Sequence, residues 1–234
     1  MKKMFKVVLR LLFGGVLLFI VAGIALKLIF SEDIPTGVSG PPADELALKV
    51  LEAIEHKKFE DAELISWTFR DTNYYNWYPK QGMVEVRWDD KLVKLNLESN
   101  GSSSAFESGS PMIEEDTQEA VTYALKNFNN DSFWIVAPHK IMDVGTEREI
   151  IKEDSQEKLL VRYTSGGSTP GDVYVWKLDN NYRPQNFQMW VSIIPLDGIE
   201  VKWENWEMTS VGFPISKRKT VFGVEIPISD INIQ

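Results

Sequence analysis

The sequence predicts a mainly β domain of the α+β class. We expect a curved antiparallel sheet forming an open or half barrel, two or so helices covering it, and an N-terminal transmembrane helix. Three observations predict this fold. Apolar and polar residues alternate over most of the chain, short polar turns separate these stretches, and two segments have helical spacing instead. Aromatic residues make up 12% of the 234 residues, which favours strands.

The first thirty residues predict a signal-anchor. Residues 11–26 contain no charge, and at ~1.5 Å per residue they give about 24 Å of helix, which apolar flanks extend towards a bilayer core of ~30 Å. A cleaved signal peptide is the alternative, with a weak small-x-small site at 23–25. Basic residues before the run place the N-terminus in the cytoplasm and the main domain outside, on the periplasmic side of a bacterial cell. The apolar side chains expected to anchor the chain include Leu11, Phe13, Leu17, Ile20, Ile24 and Leu26.

Three regions follow from this pattern: an anchor at 1–30, a flexible linker at 31–42 that is rich in proline and glycine, and an extracytoplasmic β domain at 43–234. Residues 1–30 contain five basic side chains and no acidic one, so 20 basic and 34 acidic side chains remain beyond them. Such an acidic domain repels phosphate backbones, and nucleic acid is therefore not an expected partner. The sequence leaves the oligomeric state open.

Two helices are expected in the outer domain. The first runs over about 43–58, with Leu46, Val50 and Ile54 on one face. The second runs over about 117–128 and begins after Asp116. The expected strands cover about 65–69, 74–78, 84–89, 93–97, 133–137, 140–152, 158–164, 172–179, 185–194, 199–209 and 220–228. So many consecutive strands are too many for a flat sheet, which would curl. The Ser/Gly-rich stretch 99–110 is expected to be a mobile loop.

Four stretches in this order resemble the LolA/LolB-like lipoprotein-carrier superfamily: WTFRDTNYYNWY, MVEVRWDDKLVKLNL, DSFWIVAPHKIMDVG and VYVWKLDNNYRPQNFQMWVS. The resemblance lies in the order of helices and strands over about residues 44–230. It implies an open β-barrel whose concave apolar face is covered by helices, a cavity for acyl chains, and a non-enzymatic role. The chain differs from the lipidated members because it contains no cysteine, and from soluble carriers because it keeps an apparent anchor.

The residues that usually carry catalysis are scarce. The absence of cysteine excludes thiol nucleophiles, disulfides and cysteine-based zinc sites. The two histidines, His56 and His139, have no partner with metal-ligand spacing, and no nucleophile-elbow, Walker or dinucleotide motif occurs. Distant acids such as Asp143 and Asp172 form a glycosidase pair only by arbitrary choice. We therefore expect a non-enzymatic protein without a cofactor or a metal site.

The aromatic residues are the one enriched feature, and they support two interpretations. They fill the core of a curved sheet, or some of them line a ligand site. The candidate ligand-binding residues are Trp67, Phe69, Tyr75, Trp77, Trp88, Trp176, Trp190 and Trp203. A large apolar lumen lined by these residues would indicate a lipid or other apolar ligand, our first hypothesis. A row of exposed tryptophans would indicate a carbohydrate- or protein-binding surface, and a filled core with neither would leave a scaffold of the cell envelope.

The stretch 189–208 contains three tryptophans whose strand phases differ. Alternation places Trp190 on the more polar face of its strand, unless the sheet is buried on both sides. Trp203 lies on the apolar face, and a bulge near Asn205 would bring Trp206 and Met208 to that face as well. Asp197-Gly198 is expected to form the hairpin turn between the two strands.

Overall fold

The computed structural model of the protein describes residues 31–99, 102–153 and 156–234, together with seven helical positions between 13 and 30. The α-helices of the described outer domain are α1 (Pro41–Ala53), α2 (His56–Glu60) and α3 (Glu114–Val136). The strands are β1 (Val38–Ser39), β2 (Ile65–Phe69), β3 (Asn73–Tyr78), β4 (Met83–Trp88), β5 (Lys91–Asn96), β6 (Ser104–Glu107), β7 (Ser110–Pro111), β8 (Thr146–Glu153), β9 (Gln156–Tyr163), β10 (Val173–Leu178), β11 (Pro184–Trp190), β12 (Ile199–Met208), β13 (Pro214–Val221), β14 (Val224–Glu225) and β15 (Ile228–Ile233).

The described chain is mainly β, as predicted, but its strands form two antiparallel sheets where the sequence predicted one, and they do not close into a barrel. Sheet A has the order β1-β8-β9-β10-β11-β12-β13-β14, and sheet B has the order β15-β2-β3-β4-β5-β6-β7. The chain passes from one sheet to the other at Ile226 and Pro227. There the N–H of Ile226 donates to the carbonyl of Lys219 in sheet A, and the N–H of Arg70, which directly follows β2 of sheet B, donates to the carbonyl of Pro227.

Helix α1 covers sheet A. Its small and branched residues Ala43, Leu46, Ala47 and Val50 are buried at helical spacing against that sheet's core. The predicted single helix 43–58 is interrupted at Glu55, which has a left-handed φ of 54° and separates α1 from α2. A non-glycine residue in that conformation cannot continue a right-handed helix, so the two helices point in different directions.

Helix α3 is much longer than the predicted 117–128, and it corrects two other predictions. It begins at Glu114, with Asp116 inside its first turn, and it includes 133–137 up to Val136, which was predicted as a strand. The buried positions Phe128, Ser132 and Ile135 keep helical spacing to its end. A 3-10 turn at 137–140 follows, so β8 begins at Thr146 and not at 140.

The stretch 99–110, predicted as a mobile loop, contains β6 and begins β7. The register pairs Leu92 with Phe106 and Val93 with Ala105, which adds β6 to the edge of sheet B. Ala105 and Phe106 are the two apolar residues of this Ser/Gly-rich stretch, and Ala105 is buried in the sheet B core, which favours a strand there.

Residues 31–37 run along the outer face of sheet A. The indole N–H of Trp190 donates to the Glu32 carbonyl at 2.6 Å, and the N–H of Gly37 donates to Glu149 Oε2 at 2.9 Å. Trp190 is buried there with an apolar cluster on that face consisting of Ile151, Leu160, Val173 and Val175. Sheet A is therefore buried on both faces at this point, which is one of the two alternatives that the strand phase left open.

The predicted anchor falls almost wholly outside the described residues. Of its named side chains, only Phe13 is described, and it is helical and exposed. Among the helices that the structure describes, none is both long enough and apolar enough to cross a membrane.

Candidate functional site

The structure distributes the eight predicted ligand-binding residues over three places. Each of the eight is less than 9% exposed. The sheet B core contains Trp67, Phe69, Tyr75, Trp77 and Trp88. The sheet A core contains Trp176 and Trp203, while Trp190 lies on the outer face of sheet A. These side chains therefore do not meet in one site, and the described interior is packed around them.

The sheet B core is organised around a contact between α3 and β3. The rings of Trp67 and Tyr75 stack with their centroids 4.5 Å apart, and Phe128 of α3 packs against both rings. Next to them, buried Asp131 accepts hydrogen bonds from the Tyr75 hydroxyl at 2.5 Å and from the Asn73 amide at 3.2 Å. Burial, together with the nearby Asp131 carboxylate, raises the pKa of Tyr75, so its hydroxyl remains a proton donor over the ordinary pH range.

In the sheet A core, Trp203 contacts Trp176 edge to face at 5.5 Å and stacks with half-buried Trp206 at 6.2 Å. The predicted bulge is wrong. The pairs on either side of Asn205 keep the same register, and the change is a left-handed φ of 51° at Asn205 itself. This change brings Trp206 onto the core as predicted, but Met208 is 64% exposed, contrary to the prediction.

Six buried polar atoms of the described chain have no hydrogen-bond partner within it. They are the indole nitrogens of Trp67, Trp77, Trp176 and Trp203, Nε of Arg183 and Oδ1 of Asn73. A buried donor without an acceptor costs about 1–3 kcal/mol, and such donors usually meet a water molecule or a ligand. Two of these donors, on Trp203 and Arg183, belong to residues that line the same cleft.

This cleft, which we call the β12 cleft, has a volume of about 360 Å³. The turn after β10, the start of β11 and the middle of β12 form its walls. The lining residues are Asp179, Arg183, Pro184, Gln185, Asn186, Lys202, Trp203, Glu204 and Trp206. The walls thus combine two aromatic rings with amide, carboxylate and cationic groups, which is the composition of a site for a polar ligand with an apolar face.

The turn that carries Arg183 is held by hydrogen bonds from its backbone N–H groups to the Asp179 carboxylate. Asp179 Oδ1 accepts hydrogen bonds from the N–H groups of Asn181 and Arg183 at 2.8 and 2.9 Å, and Tyr182 takes a left-handed φ of 62°. The carboxylate of Asp179 therefore folds the turn, as expected for an Asx-turn. The predicted strands 172–179 and 185–194 leave a turn between them, but the sequence gave no sign that this turn faces β12.

The two histidines meet between α2 and the turn after α3. His139 is 4% exposed and stacks on Phe59 with the centroids 4.2 Å apart. Its Nδ1 lies 3.2 Å from Nδ1 of His56, so one ring donates a proton and the other accepts it. Burial lowers the pKa of both rings, and the effect is much larger for His139. Among the described residues, no group of three or more potential ligands could hold a metal ion.

We expect the histidine pair to weaken the fold in acid. Each folded-state pKa lies below the unfolded value of 6.5, so below about pH 6.5 the unfolded chain binds more protons and stability falls as the pH falls. His139→Phe, which keeps the stacking ring, should lose less unfolding free energy than the wild type between pH 7.5 and 5.5 in urea titrations. His56→Phe replaces the less buried ring and is the control. Its loss of unfolding free energy should lie between the losses of the wild type and of His139→Phe. Equal losses in all three proteins would contradict this prediction.

A scan against protein-family models finds no family that matches the chain, and a search of curated proteins finds no match either. Sequence reasoning identified Trp203 among the residues of the β12 cleft but missed Arg183, Asn186, Lys202 and Glu204. These polar residues look like ordinary surface positions until the turn and the strand are placed side by side.

Proposed function

We propose that the chain is a membrane-anchored, extracytoplasmic, non-enzymatic binding protein and that it binds a saccharide in the β12 cleft. In this proposal the two sheets are halves of one open barrel whose faces carry the helices and the ligand site. One observation carries the proposal: the cleft brings two aromatic rings together with two buried donors, the Trp203 indole and Arg183 Nε, that lack acceptors among the described residues.

The chemistry of the cleft suits a sugar ring. A saccharide presents C–H groups, which pack on an aromatic ring, and hydroxyl oxygens, which accept hydrogen bonds. Trp206 supplies the half-buried ring, and Trp203 and Arg183 each hold a buried donor without an acceptor in the described chain, which a ligand would reach after a small shift of the cleft wall. The lining includes two acidic and two basic side chains, so its formal charge is zero, as expected for a neutral ligand. The volume of about 360 Å³ lies at the lower end of the range of roughly 300–1,000 Å³ that is typical of small-molecule sites.

The contacts of the cleft's carboxylates support the proposal of binding without catalysis. Asp179 accepts two backbone hydrogen bonds and holds the turn, and Glu204 lies about 4.0 Å from the Arg218 guanidinium. Neither contact resembles an acid and a nucleophile facing each other across a substrate. The described lining contains no histidine, serine or threonine.

An apolar ligand held between sheet B and α3 is a second candidate, in line with the resemblance to lipoprotein carriers. The indole nitrogens of Trp67 and Trp77 face this interior without acceptors, and ester carbonyls of a lipid would supply them. The helix contacts the sheet partly through the small residues Ala120 and Ala124. Because the interior is packed, a lipid enters only if α3 moves away from the sheet.

Binding measurements on the full chain in nanodiscs test the proposal. The probes are immobilised oligomers of N-acetylglucosamine and of glucose, and the readout is the dissociation constant. Trp206→Ala and Arg183→Gln should each weaken saccharide binding about tenfold or more, the effect expected of a central contact residue. Met208→Ala is the matched control, because Met208 lies two residues from Trp206 on the same strand, is exposed and is outside the cleft. It should bind like the wild type.

Two outcomes would overturn the saccharide assignment. The first is the absence of binding to any oligomer at millimolar concentration. The second is binding that all three variants leave unchanged. Native mass spectrometry of the same protein, combined with displacement of a fluorescent fatty acid, addresses the interior. Co-purified lipid in the absence of saccharide binding would favour the second candidate over the first.

A further inference from the structure

One end of sheet A carries exposed apolar side chains on neighbouring loops. The loop between β11 and β12 spans 191–198, so Asp197-Gly198 is not the two-residue turn that was predicted, and it exposes 64% of Ile193. The turn between β13 and β14 exposes 75% of Phe222, and Val224, the first residue of β14, is 69% exposed. The register places both loops at the same end, because Met189 pairs with Ile199 and Val201 pairs with Val221. We call this end the apolar tip.

The described helical positions 27, 29 and 30 lie close to the apolar tip. Lys27 Nζ lies 3.3 Å from the Asp197 carboxylate, and the N–H of Asp197 donates to Ser31 Oγ at 3.1 Å. The N–H of Glu32 donates to the Asp197 carbonyl at 3.1 Å. Gly198 allows this close approach: its φ is +76°, and a Cβ there would lie 2.8 Å from Cβ of Glu32. The chain leaving the helix is therefore fastened to the loop that carries Ile193.

We propose that the apolar tip contacts the surface of the bilayer that holds the N-terminal helix, as a second point of attachment. This inference rests on the membrane anchorage in the proposed function. Only three residues separate Lys27 from Ser31, so the domain cannot move far from the helix end. The helical residues Ile29 and Phe30 next to the tip are themselves 71% and 60% exposed.

The side chains of the apolar tip are suited to contact with a lipid surface. Phenylalanine, isoleucine and valine side chains on loop tips gain free energy when their apolar surface is buried in the headgroup region. The ionisable groups near the tip are Asp197, which is paired with Lys27, Glu225, which is paired with Arg218, and the acidic Glu32 and Glu200. This balance disfavours attraction by anionic lipids, so we expect contact with a zwitterionic membrane.

Attachment at the apolar tip fixes the direction of the β12 cleft. The turn 179–183 lies at the other end of the strands, since Leu178 pairs with Pro184 there and Val173 pairs with Trp190 near the tip. The β12 residues that line the cleft, at 202–206, lie three to seven positions from Ile199, which at ~3.3 Å per residue is about 10–23 Å from the tip end of the strand. With the tip on the bilayer, the cleft would stand above the membrane surface, where a saccharide of the cell envelope can reach it.

Depth measurements on single-cysteine variants test the apolar tip. The chain contains no cysteine, so a dye can be placed at one site without background. Ile193→Cys and Met208→Cys form a matched pair, because both side chains are 64% exposed and they lie at opposite ends of β12. The full chain is placed in phosphatidylcholine nanodiscs that contain spin-labelled phosphatidylcholine. The lipid spin label should quench the fluorescence of the dye at position 193 at least about twofold more strongly than that of the dye at position 208. Phe222→Cys is a second tip variant and should behave like Ile193→Cys.

The outcomes separate the tip from the anchor. Equal quenching at 193, 222 and 208 in a chain that is incorporated in the nanodiscs would overturn membrane contact by the tip and leave the anchor standing. A chain that fails to enter nanodiscs would overturn the anchorage, and with it this inference. Saccharide binding by the same preparation is read separately, so its loss does not affect either conclusion.

Discussion

Replacing Asp131 with alanine is expected to lower the free energy of unfolding by about 3–5 kcal/mol, because the substitution leaves several buried donors without an acceptor. Asp131 is 1% exposed and accepts hydrogen bonds from the Tyr75 hydroxyl, the Asn73 amide and the Asn130 amide. The first two donors belong to β3 in sheet B, whereas Asp131 belongs to α3. The substitution therefore removes the polar contact that fixes the helix on the sheet, and urea unfolding of the full chain measures the cost.

Two further variants show whether the cost arises from the unpaired donors. Tyr75→Phe removes one donor and keeps the stack on Trp67, so it should cost about 1–2 kcal/mol. The double variant Asp131→Ala, Tyr75→Phe should be less destabilised than the sum of the two single variants, since one orphaned donor is gone. Strict additivity would show that the Tyr75–Asp131 contact contributes nothing of its own. A cost below about 1 kcal/mol for Asp131→Ala would contradict the prediction outright.

Local pattern was sufficient to predict most of the strands. Period-two alternation placed β2, β4, β5, β10, β11 and β12 close to their observed positions, because a half-buried strand needs one apolar face. It also placed Trp203 on the inner face of sheet A and separated Trp190 from it. The pattern failed where a segment is apolar on every side. The segment SFWIV, at 132–136, suits a strand as well as it suits a helix. It forms the end of α3 because it packs against the cores of both sheets.

The division into two sheets and the β12 cleft depend on contacts that no local pattern encodes. The sheets meet where two residues, Ile226 and Pro227, connect β14 to β15, and nothing in the hydrophobic pattern marks that junction. The cleft combines Arg183 in a turn with Trp206 in a strand more than twenty positions away. In the sequence, the polar residues of the cleft cannot be told apart from other exposed polar residues. The orphaned donors become visible only when burial is known.

Lys219 is expected to make the stability of the protein rise steeply with pH above 7. The side chain is 1% exposed, its Nζ donates a hydrogen bond to the Ser216 carbonyl and lies 4.9 Å from the centre of the Trp203 ring, and its burial lowers the pKa to about 7. In the unfolded chain the ordinary pKa is near 10.5. Between these values the unfolded chain carries a proton that the folded chain lacks, so stability increases with pH.

Replacing Lys219 with methionine should remove this dependence and stabilise the protein in acid. The shift in pKa corresponds to about 4–5 kcal/mol, the cost of protonating the buried amine below pH 7. Lys219→Met should therefore be more stable than the wild type at pH 6, by up to that amount less the hydrogen bond and the cation–π contact that are lost. The advantage should shrink through pH 8 and 9 and disappear near pH 10, as urea unfolding at each pH would show.

The slope of this difference, and not its size at one pH, identifies the ionisation of Lys219. A methionine that only improves packing would stabilise the protein by the same amount at every pH, because packing does not titrate. Lys217→Met is the control: Lys217 is more exposed and contributes only the second cause of the lowered pKa of Lys219, so its curve should follow that of the wild type with a small offset. A constant gap between wild type and Lys219→Met from pH 6 to 10 would show that the Trp203 ring and the Ser216 carbonyl keep the amine protonated in the core.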